Sequence, residues 1–488
     1  MDILSALDAE FLYLEDDTAP LHIGGVCTFE GPPPSHDELL AALEAKLDRI
    51  PRYRQVVAPV PFELGRPIWV DDPHFDLRFH VLHTALPAPG DDAALTRLVG
   101  RLMSHRLDRD RPLWEIWQVE GLEGGRWALV CKVHHAMVDG IAGVGLLSVI
   151  LDLDPDAPVP EPVPWAPAPA PSNLARVAGA WRTAAGDAAR LVGEVPAMVT
   201  HPVDTVRGAG QAVRGLLGFG RHVLPTPESS LEGSIGPHRV YAHATVALDD
   251  IKAIRRAFGG TVNDVVLAAL AEGYRRLLVA HGDDPDHAVV TTGVPVSVRR
   301  DDGAGVPDNR VSTLLVELPV HLSDLLSQLA AVRTSVAEAR RTHMSEVGEA
   351  VTHLADLAPP MALGLVSRLA VEAERHLTQR SVTTVTTNVP GPQFPLYCLG
   401  RRMLEYLPYV PIAAGVRVGT AILSYDGQVA FGITGDAGTV PDVDVLARAT
   451  AEAIEELACL AQAEGHPRPH SHQADGSADQ GSEEVSAP

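Results

Sequence analysis

The segment Asp154–Pro171, DPDAPVPEPVPWAPAPAP, carries eight prolines in 18 residues. Each proline fixes its own φ, removes a backbone donor and pushes the residue before it out of the helical region. Neither a helix nor a central strand can run through such a stretch, so it reads as a connector. A chain of 488 residues is also longer than one hydrophobic core usually supports. The expected division is a first half over residues 1–153, a proline-rich linker with crossover helices over 154–235, a second half over 236–464 and a disordered tail over 465–488. The tail is rich in Ser, Asp, Glu, Gln and His and lacks large apolar side chains, so it cannot build a core.

Both halves mix strand and helix patterns, which predicts an α/β (α+β) chain. Ser35 is placed to cap a helix in which Leu39, Leu40, Leu43, Leu47 and Ile50 recur at helical spacing. Trp127–Val133 is mostly apolar and predicts a buried strand, and a helix is expected from Gly140 to about Leu151. The Ala- and Gly-rich stretch 173–222 predicts crossover helices, with Leu174, Val177, Trp181 and Ala184 on a face expected to pack on protein, contact with lipid being the less common alternative. In the second half a strand begins near His238 and a helix spans Asp249–Phe258. Thr261 or Asn263 caps a long helix through Leu277. Further strands are expected at 288–298, 312–319, 381–389, 416–425 and 428–435, and a last helix begins at Pro441.

Hydrophobic residues make up 46% and charged residues 21%, a normal balance for a globular chain. The formal net charge of -24 argues against nucleic acid, which needs a basic footprint. It also argues against purely electrostatic attachment to anionic lipid, while leaving a hydrophobic contact with a membrane or lipid droplet open. The four cysteines are scattered, with no CxxC pair, which points to a reducing cytoplasm rather than a disulfide framework or zinc cluster. The acidic start MDILSALDAEFLYLEDD has no basic segment followed by an apolar one, so no secretory signal is expected. No run of about 18 uncharged apolar residues occurs, so no transmembrane helix is expected either.

The chemistry-bearing stretch is Cys131–Gly140, CKVHHAMVDG. A buried strand delivers His134 and His135 into a loop, and Asp139 and Gly140 follow. Neighbouring side chains at a strand end point to opposite sides, so one histidine is expected to be chemical and the other structural. A neutral imidazole suits proton abstraction from an alcohol near neutral pH, and Gly140 leaves room for a ligand at the cavity mouth. A metal is not expected, because no further His/Asp cluster stands at ligand spacing and an open site needs about three protein ligands. There is no G-x-S-x-G for a nucleophilic serine and no phosphate-binding loop.

HHAMVDG resembles the HHxxxDG motif of the coenzyme-A-dependent acyltransferases like chloramphenicol acetyltransferase and of peptide-synthetase condensation domains. Other matches narrow the resemblance to the bacterial wax ester synthase/diacylglycerol acyltransferase family: the opening LDAEFLYLEDDTAPLHIGG, Pro51–Gln55, Arg111–Glu115 (RPLWE), Asn263-Asp264 and Asn388–Pro392 (NVPGP). Their order and spacing agree over roughly residues 1–462. Asp308-Asn309 departs from an expected Gly-Asn and puts only a local loop in doubt.

The resemblance implies two chloramphenicol-acetyltransferase-like halves, each a mixed sheet with flanking helices, with an active-site tunnel between them. It implies His135 as general base, His134 as its support, and Asp139 as a loop-orienting residue paired with an arginine. A buried carboxylate needs a counter-charge, and Arg299 is the chosen partner. Asn263 and Asp264 are either a helix cap or part of the tunnel wall. Asn388 and Gly391 belong either to a strand-ending turn or to the substrate site. Pro112–Trp114 is expected to be a packing element. The implied substrates are a long-chain acyl-coenzyme A and a lipid alcohol, diacylglycerol or a fatty alcohol, with no cofactor. The implied location is cytoplasmic, with peripheral contact at membrane or lipid inclusions. The rivals are a condensation-like enzyme using a carrier-protein donor and a non-catalytic lipid-binding or droplet protein.

Overall fold

The structure, a computed structural model, describes residues 2–137, 147, 149–183, 229–297, 311–341, 382–413 and 415–465. The chain opens with β1 (Asp2–Ile3), α1 (Ala6–Leu14), β2 (His22–Phe29) and α2 (His36–Glu44). Ser35 and Glu38 cap α2 reciprocally. This helix stops before Leu47 and Ile50, which were expected to continue it. Ile50 precedes Pro51 and lies outside the helical region (φ -131°, ψ 67°), so the chain passes instead through two short 3-10 turns.

Next come β3 (Gln55–Ala58), β4 (Ile68–Asp71), β5 (Val81–Ala85), α3 (Asp92–Ser104), β6 (Trp114–Glu120) and β7 (Trp127–His134). All eight residues of β7 are buried. The proline-rich connector has no helix or strand over 157–172, and a helical stretch covers 173–183. That stretch turns its small residues inward: a Cβ on Gly65 would stand 2.5 Å from Ala180 Cβ. Leu174 (80% exposed) and Trp181 (65%) face outward, against the expectation that both pack on protein.

The second part holds β8 (Arg239–Ala247), α4 (Leu248–Phe258), α5 (Val262–His281), β9 (Val290–Ser297), β10 (Val311–Leu318), α6 (Leu325–Arg341), β11 (Thr384–Pro390), β12 (Tyr397–Cys398), β13 (Arg401–Tyr409), β14 (Val418–Tyr425), β15 (Gln428–Asp436) and α7 (Val443–Ala463). Helix α5 starts at a Thr261/Asp264 capping box and ends at Gly282 in the left-handed conformation. From Val265 to Ala271 every residue of α5 is fully buried, as befits a helix packed on all sides. Among the described residues no helix is long and apolar enough to cross a membrane.

Among the described residues three sheets form, with orders β12-β13-β2-β7-β6-β5, β10-β9-β11-β14-β15-β8 and β1-β4-β3. The first contains strands from both ends of the sequence. Residues 403–409, inside the expected second half, pair with β2 from Tyr409↔Gly24 to Met403↔Phe29. Strand β13 was not foreseen from the sequence, because charged residues and Pro408 break its alternation. It runs against the second sheet as well: Tyr241 Oη donates to Pro408 O at 2.9 Å.

Glycine makes that contact sterically feasible. A Cβ on Gly432 would stand 1.7 Å from Pro408 O, a backbone atom that cannot swing aside. Gly432→Ala is expected to separate β13 from β15 and destabilise the protein by roughly 1–3 kcal/mol, the usual cost of overpacking. A melting curve unchanged from wild type would contradict this packing.

Candidate active site

Strand β7 ends in a doubly gripped turn. The His134 N–H donates to Leu113 O at 2.9 Å and the His135 N–H donates to Leu21 O at 2.9 Å. Leu113 sits in the RPLWE element and Leu21 just before β2, so two separate segments fix the two amides. The His135–Met137 turn follows, and within it the Ala136 N–H donates to His134 Nδ1 at 3.0 Å. A backbone N–H cannot be an acceptor, so Nδ1 of neutral His134 carries the lone pair and its proton sits on Nε2.

The two imidazoles diverge, as strand alternation requires. His134 is buried, with Nε2 3.6 Å from Glu15 Oε1. Glu15 ends α1, and its side chain is 1% exposed. Its Oε1 accepts from the Leu21 N–H at 3.1 Å, and its Oε2 accepts from Arg109 Nε at 3.2 Å and Nη2 at 2.8 Å. The same Arg109 Nη2 donates to Leu12 O at 2.8 Å, tying down the end of α1. Burial works to raise the Glu15 carboxyl, but His134, Arg109 and the Leu21 N–H outweigh it and hold the group down at about 2.

His135 is half-buried and points the other way. The Phe11 ring, from the middle of α1, stacks on its imidazole with centroids 3.9 Å apart and planes 26° from parallel. Its Nδ1 is buried without a hydrogen-bond partner among the described residues. Burial pushes the imidazole down to about 4, opposed by its own carbonyl and reinforced by His134. At neutral pH His135 is therefore uncharged and able to accept a proton.

Below the turn lies a layer of buried polar groups. Lys132 Nζ donates to Leu102 O at 3.2 Å and to His105 O, and burial lowers its pKa. His22, opposite His134 in the sheet register, is bonded through Nε2 to Met103 O at 2.9 Å. Burial, followed by Lys132, keeps His22 neutral. Trp114 is fully buried, donates through Nε1 to Tyr53 O at 2.8 Å and stacks on His80 with centroids 4.6 Å apart. The RPLWE and PRYRQ segments thus meet each other, as a packing element should.

The second-half candidates gather on the other sheet. Asn388 Nδ2 donates to Asn263 Oδ1 at 3.3 Å, so two motifs 125 residues apart come into contact. Asp264 is taken up by the α5 cap, accepting the Thr261 N–H at 2.7 Å. Behind Asn388 on the same face of β11, Thr386 bonds to Thr292 Oγ1 at 2.8 Å. Thr384 meets Tyr274 Oη at 2.6 Å. A polar row therefore runs from the interior toward the asparagine pair. Gly391 has a structural reason to lack a side chain, since its Cβ would stand 2.1 Å from Ser424 O. Asp139, Gly140 and Arg299 lie outside the described residues.

Glu15, Arg109, His22 and Lys132 were not singled out from the sequence. Glu15 stands in the run Glu15-Asp16-Asp17, which looks like a solvated acidic face, and the arginine that buries it is 94 residues away. Among the described residues no group of three or more His, Cys, Asp or Glu is arranged to hold a metal ion.

The model of the wax ester synthase/diacylglycerol acyltransferase catalytic domain matches residues 4–266, and that of the C-terminal domain of the same family matches 308–458. A probable diacylglycerol O-acyltransferase, tgs1, of Mycobacterium tuberculosis is 37% identical over 468 residues, covering 95% of this chain and 97% of that one. A second putative diacylglycerol O-acyltransferase from that organism is 32% identical over 485 residues, covering 97% and 93%. Among solved structures, a wax ester synthase/diacylglycerol acyltransferase from Marinobacter aquaeolei superposes with a TM-score of 0.65 at 25% identity, over 94% of this chain and 100% of that one. The first condensation domain of the CDA synthetase shares the fold, with a TM-score of 0.57 at 16% identity over 94% and 96%.

The Glu15 geometry has a pH signature. Its carboxyl lies below the ordinary 4.5, at about 2, so it stabilises the fold above pH 4.5 and that stability is lost as pH falls toward 2. The groups facing it are the Arg109 guanidinium and the His134 imidazole, with His22 and Lys132 behind them. Its contribution at neutral pH is roughly 3 kcal/mol. Glu15→Gln is expected to melt lower at pH 7 and to lose less further stability than wild type between pH 5 and pH 3. Parallel pH–stability curves for the two proteins would contradict this burial.

Proposed function

Because the chain belongs to the wax ester synthase/diacylglycerol acyltransferase family and is an acyltransferase, we propose that it transfers a long acyl chain from coenzyme A to diacylglycerol, giving triacylglycerol, with His135 as general base. The observation that carries this reading is the uncharged, half-buried His135 imidazole, stacked on Phe11 with its Nδ1 edge sealed inside the protein. Only the Nε2 edge is then left to face a substrate.

In the proposed reaction Nε2 takes the hydroxyl proton as the alcohol oxygen attacks the thioester carbon. The tetrahedral oxyanion collapses, the C–S bond breaks, and the coenzyme A thiolate leaves with the proton returned from the imidazolium. A base lowered to about 4 is weak in the free protein. The growing negative charge on the attacked carbonyl favours the imidazolium as the transition state forms. No acyl-enzyme and no cofactor is required; acyl-coenzyme A is a substrate. The Asn388–Asn263 pair offers amide N–H groups for the substrate, with Asp264 and Gly391 shaping the surrounding turn and helix end. Asp139, with Arg299 as its partner, would hold the loop, and Gly140 would leave the entrance open.

Diacylglycerol is favoured as acceptor over a fatty alcohol by the names of the relatives at 37% and 32% identity. A protein acting on such lipids meets them at a lipid surface. The outward Leu174 and Trp181, in an acid-free stretch with Arg176 and Arg182, suit peripheral contact with a membrane or lipid droplet on the cytoplasmic side.

The test is thiol release from palmitoyl-coenzyme A, with diacylglycerol and hexadecanol in competition; faster use of hexadecanol would reverse the acceptor assignment. His135→Ala is expected to lose transfer by roughly 100- to 10,000-fold, the usual range for a general base, and His134→Ala to lose less. Near-normal turnover by the folded His135→Ala protein would remove His135 from the mechanism. The base form of His135 is lost only as pH falls through about 4, so kcat/KM is expected to be flat across neutral pH and to fall only in acid. An acid limb near pH 6.5 would contradict the buried imidazole. Activity is expected to survive exhaustive chelation; loss on chelation with recovery on adding zinc would refute the metal-free reaction.

A further inference from the structure

We infer that Glu15 is a positioning residue for acyl transfer: its carboxylate, with Arg109, holds together the three supports that aim His135. The inference rests on His135 being the base. The first support is a single residue. Leu21 gives its N–H to Glu15 Oε1 at 3.1 Å and its carbonyl to the His135 N–H at 2.9 Å. A shift of the carboxylate therefore moves the group that grips the backbone of the base.

The second support is His134. Its Nδ1 is occupied by the Ala136 N–H, so its proton points from Nε2 toward Glu15 Oε1, 3.6 Å away. The negative carboxylate favours this tautomer and ring orientation, and with it the turn that carries His135. The third support is α1. Arg109 joins Glu15 Oε2 to Leu12 O through one guanidinium. It thereby fixes the helix end one turn beyond Phe11, whose ring lies on the His135 imidazole. Among the described residues no hydrogen bond or ion pair joins Glu15 to His135, so the residue acts through its neighbours.

The chemistry of the site excludes simple substitutes. Glu15 accepts hydrogen bonds on both oxygens and faces only donors: the Leu21 N–H, Arg109 Nε and Nη2, and the His134 Nε2 proton. A glutamine amide must turn its NH2 toward one of those donor sets and break it. An aspartate keeps the charge but falls a methylene short of spanning Leu21 and Arg109 together.

The experiment compares Glu15→Gln, Glu15→Asp, Arg109→Gln, His135→Ala and the double variant Glu15→Gln/His135→Ala. Palmitoyl-coenzyme A and diacylglycerol are the substrates, and rates are normalised to the folded fraction from a melting curve. Glu15→Gln is expected to lower kcat roughly 10- to 100-fold, the scale of a misplaced catalytic group, with KM for palmitoyl-coenzyme A within about threefold. Glu15→Asp is expected to recover part of the loss. In the His135→Ala background Glu15→Gln is expected to have no further effect on the residual rate, because there is no base left to position. Arg109, whose side chain is 45% exposed, can be replaced by glutamine without opening a buried cavity, and the amide keeps an N–H donor for the Glu15 carboxylate, which would otherwise be left unpaired. Arg109→Gln is expected to fold and to lower kcat in the same manner, so it carries the test if Glu15→Gln does not fold. Normal kcat in folded Glu15→Gln or folded Arg109→Gln would overturn the inference, as would an equal fractional loss in the presence and absence of His135. If instead His135→Ala alone keeps near-normal turnover, the base assignment fails, independently of the Glu15 result.

Discussion

A strand buried along its whole length must pass its last amide groups to protein, because water does not reach them. β7 does so twice in succession: His134 is bonded to Leu113 O and His135 to Leu21 O. Much of the first half follows from those two bonds. Leu113 is held by the Trp114 side chain, anchored on Tyr53 O and stacked on His80. Leu21 is held by Glu15. The motif histidines are thus the meeting point of α1, the start of β2, the Pro51–Arg54 turn and β6.

The electrostatics of the turn follow from burial rather than from net charge. Desolvation alone favours the neutral form of every ionisable group, and His22 and His135 obey it, both lowered chiefly by burial. Glu15 escapes because Arg109, His134 and a backbone N–H converge on it. The result is a graded arrangement: a fixed negative charge on one side of the turn and an uncharged, ring-stacked imidazole on the other, with His134 between them. A carboxylate in direct contact with His135 would raise its basicity and favour the resting imidazolium. Separation by one residue keeps His135 unprotonated while the charge still orients its surroundings.

What could be read from the sequence was what is local. β7 was evident because an apolar run ends abruptly at two histidines, and α5 because a capping residue at Thr261 or Asn263 precedes apolar residues at helical spacing through Leu277. The Asn263 and Asn388 segments stood out as motifs, although their contact needs α5 laid across the second sheet. Features made by distant residues were not legible. Glu15 is buried by an arginine 94 positions later, and β13 is a strand because β2 presents its edge, despite Pro408 and its charges. The helical period of 173–183 was visible, but which face meets protein was decided by the close approach of Gly65 to Ala180.

Strand β13 ties the two parts of the sequence together. It pairs with β2, whose other edge is β7. It also lies against β15, where Gly432 admits Pro408 O and Tyr241 bonds it. Arg239 at the start of β8 adds a second tie, donating to Thr18 O in the segment between α1 and β2 and lying 3.7 Å from Asp436 at the end of β15. Both ties reach the first half next to the supports of the histidine turn: β13 through the β2 backbone, and Arg239 through the segment that joins Glu15 to Leu21. The Asn263–Asn388 pair belongs to the second sheet and its helix. The proposed transfer, with His135 of one sheet as base and the asparagine amides of the other toward substrate, depends on the two not sliding relative to each other. β13 is held in the first sheet by its backbone ladder with β2 and meets the second sheet where Gly432 admits Pro408 O and Tyr241 Oη bonds it, so sliding one sheet along the other would break that bond and that close packing.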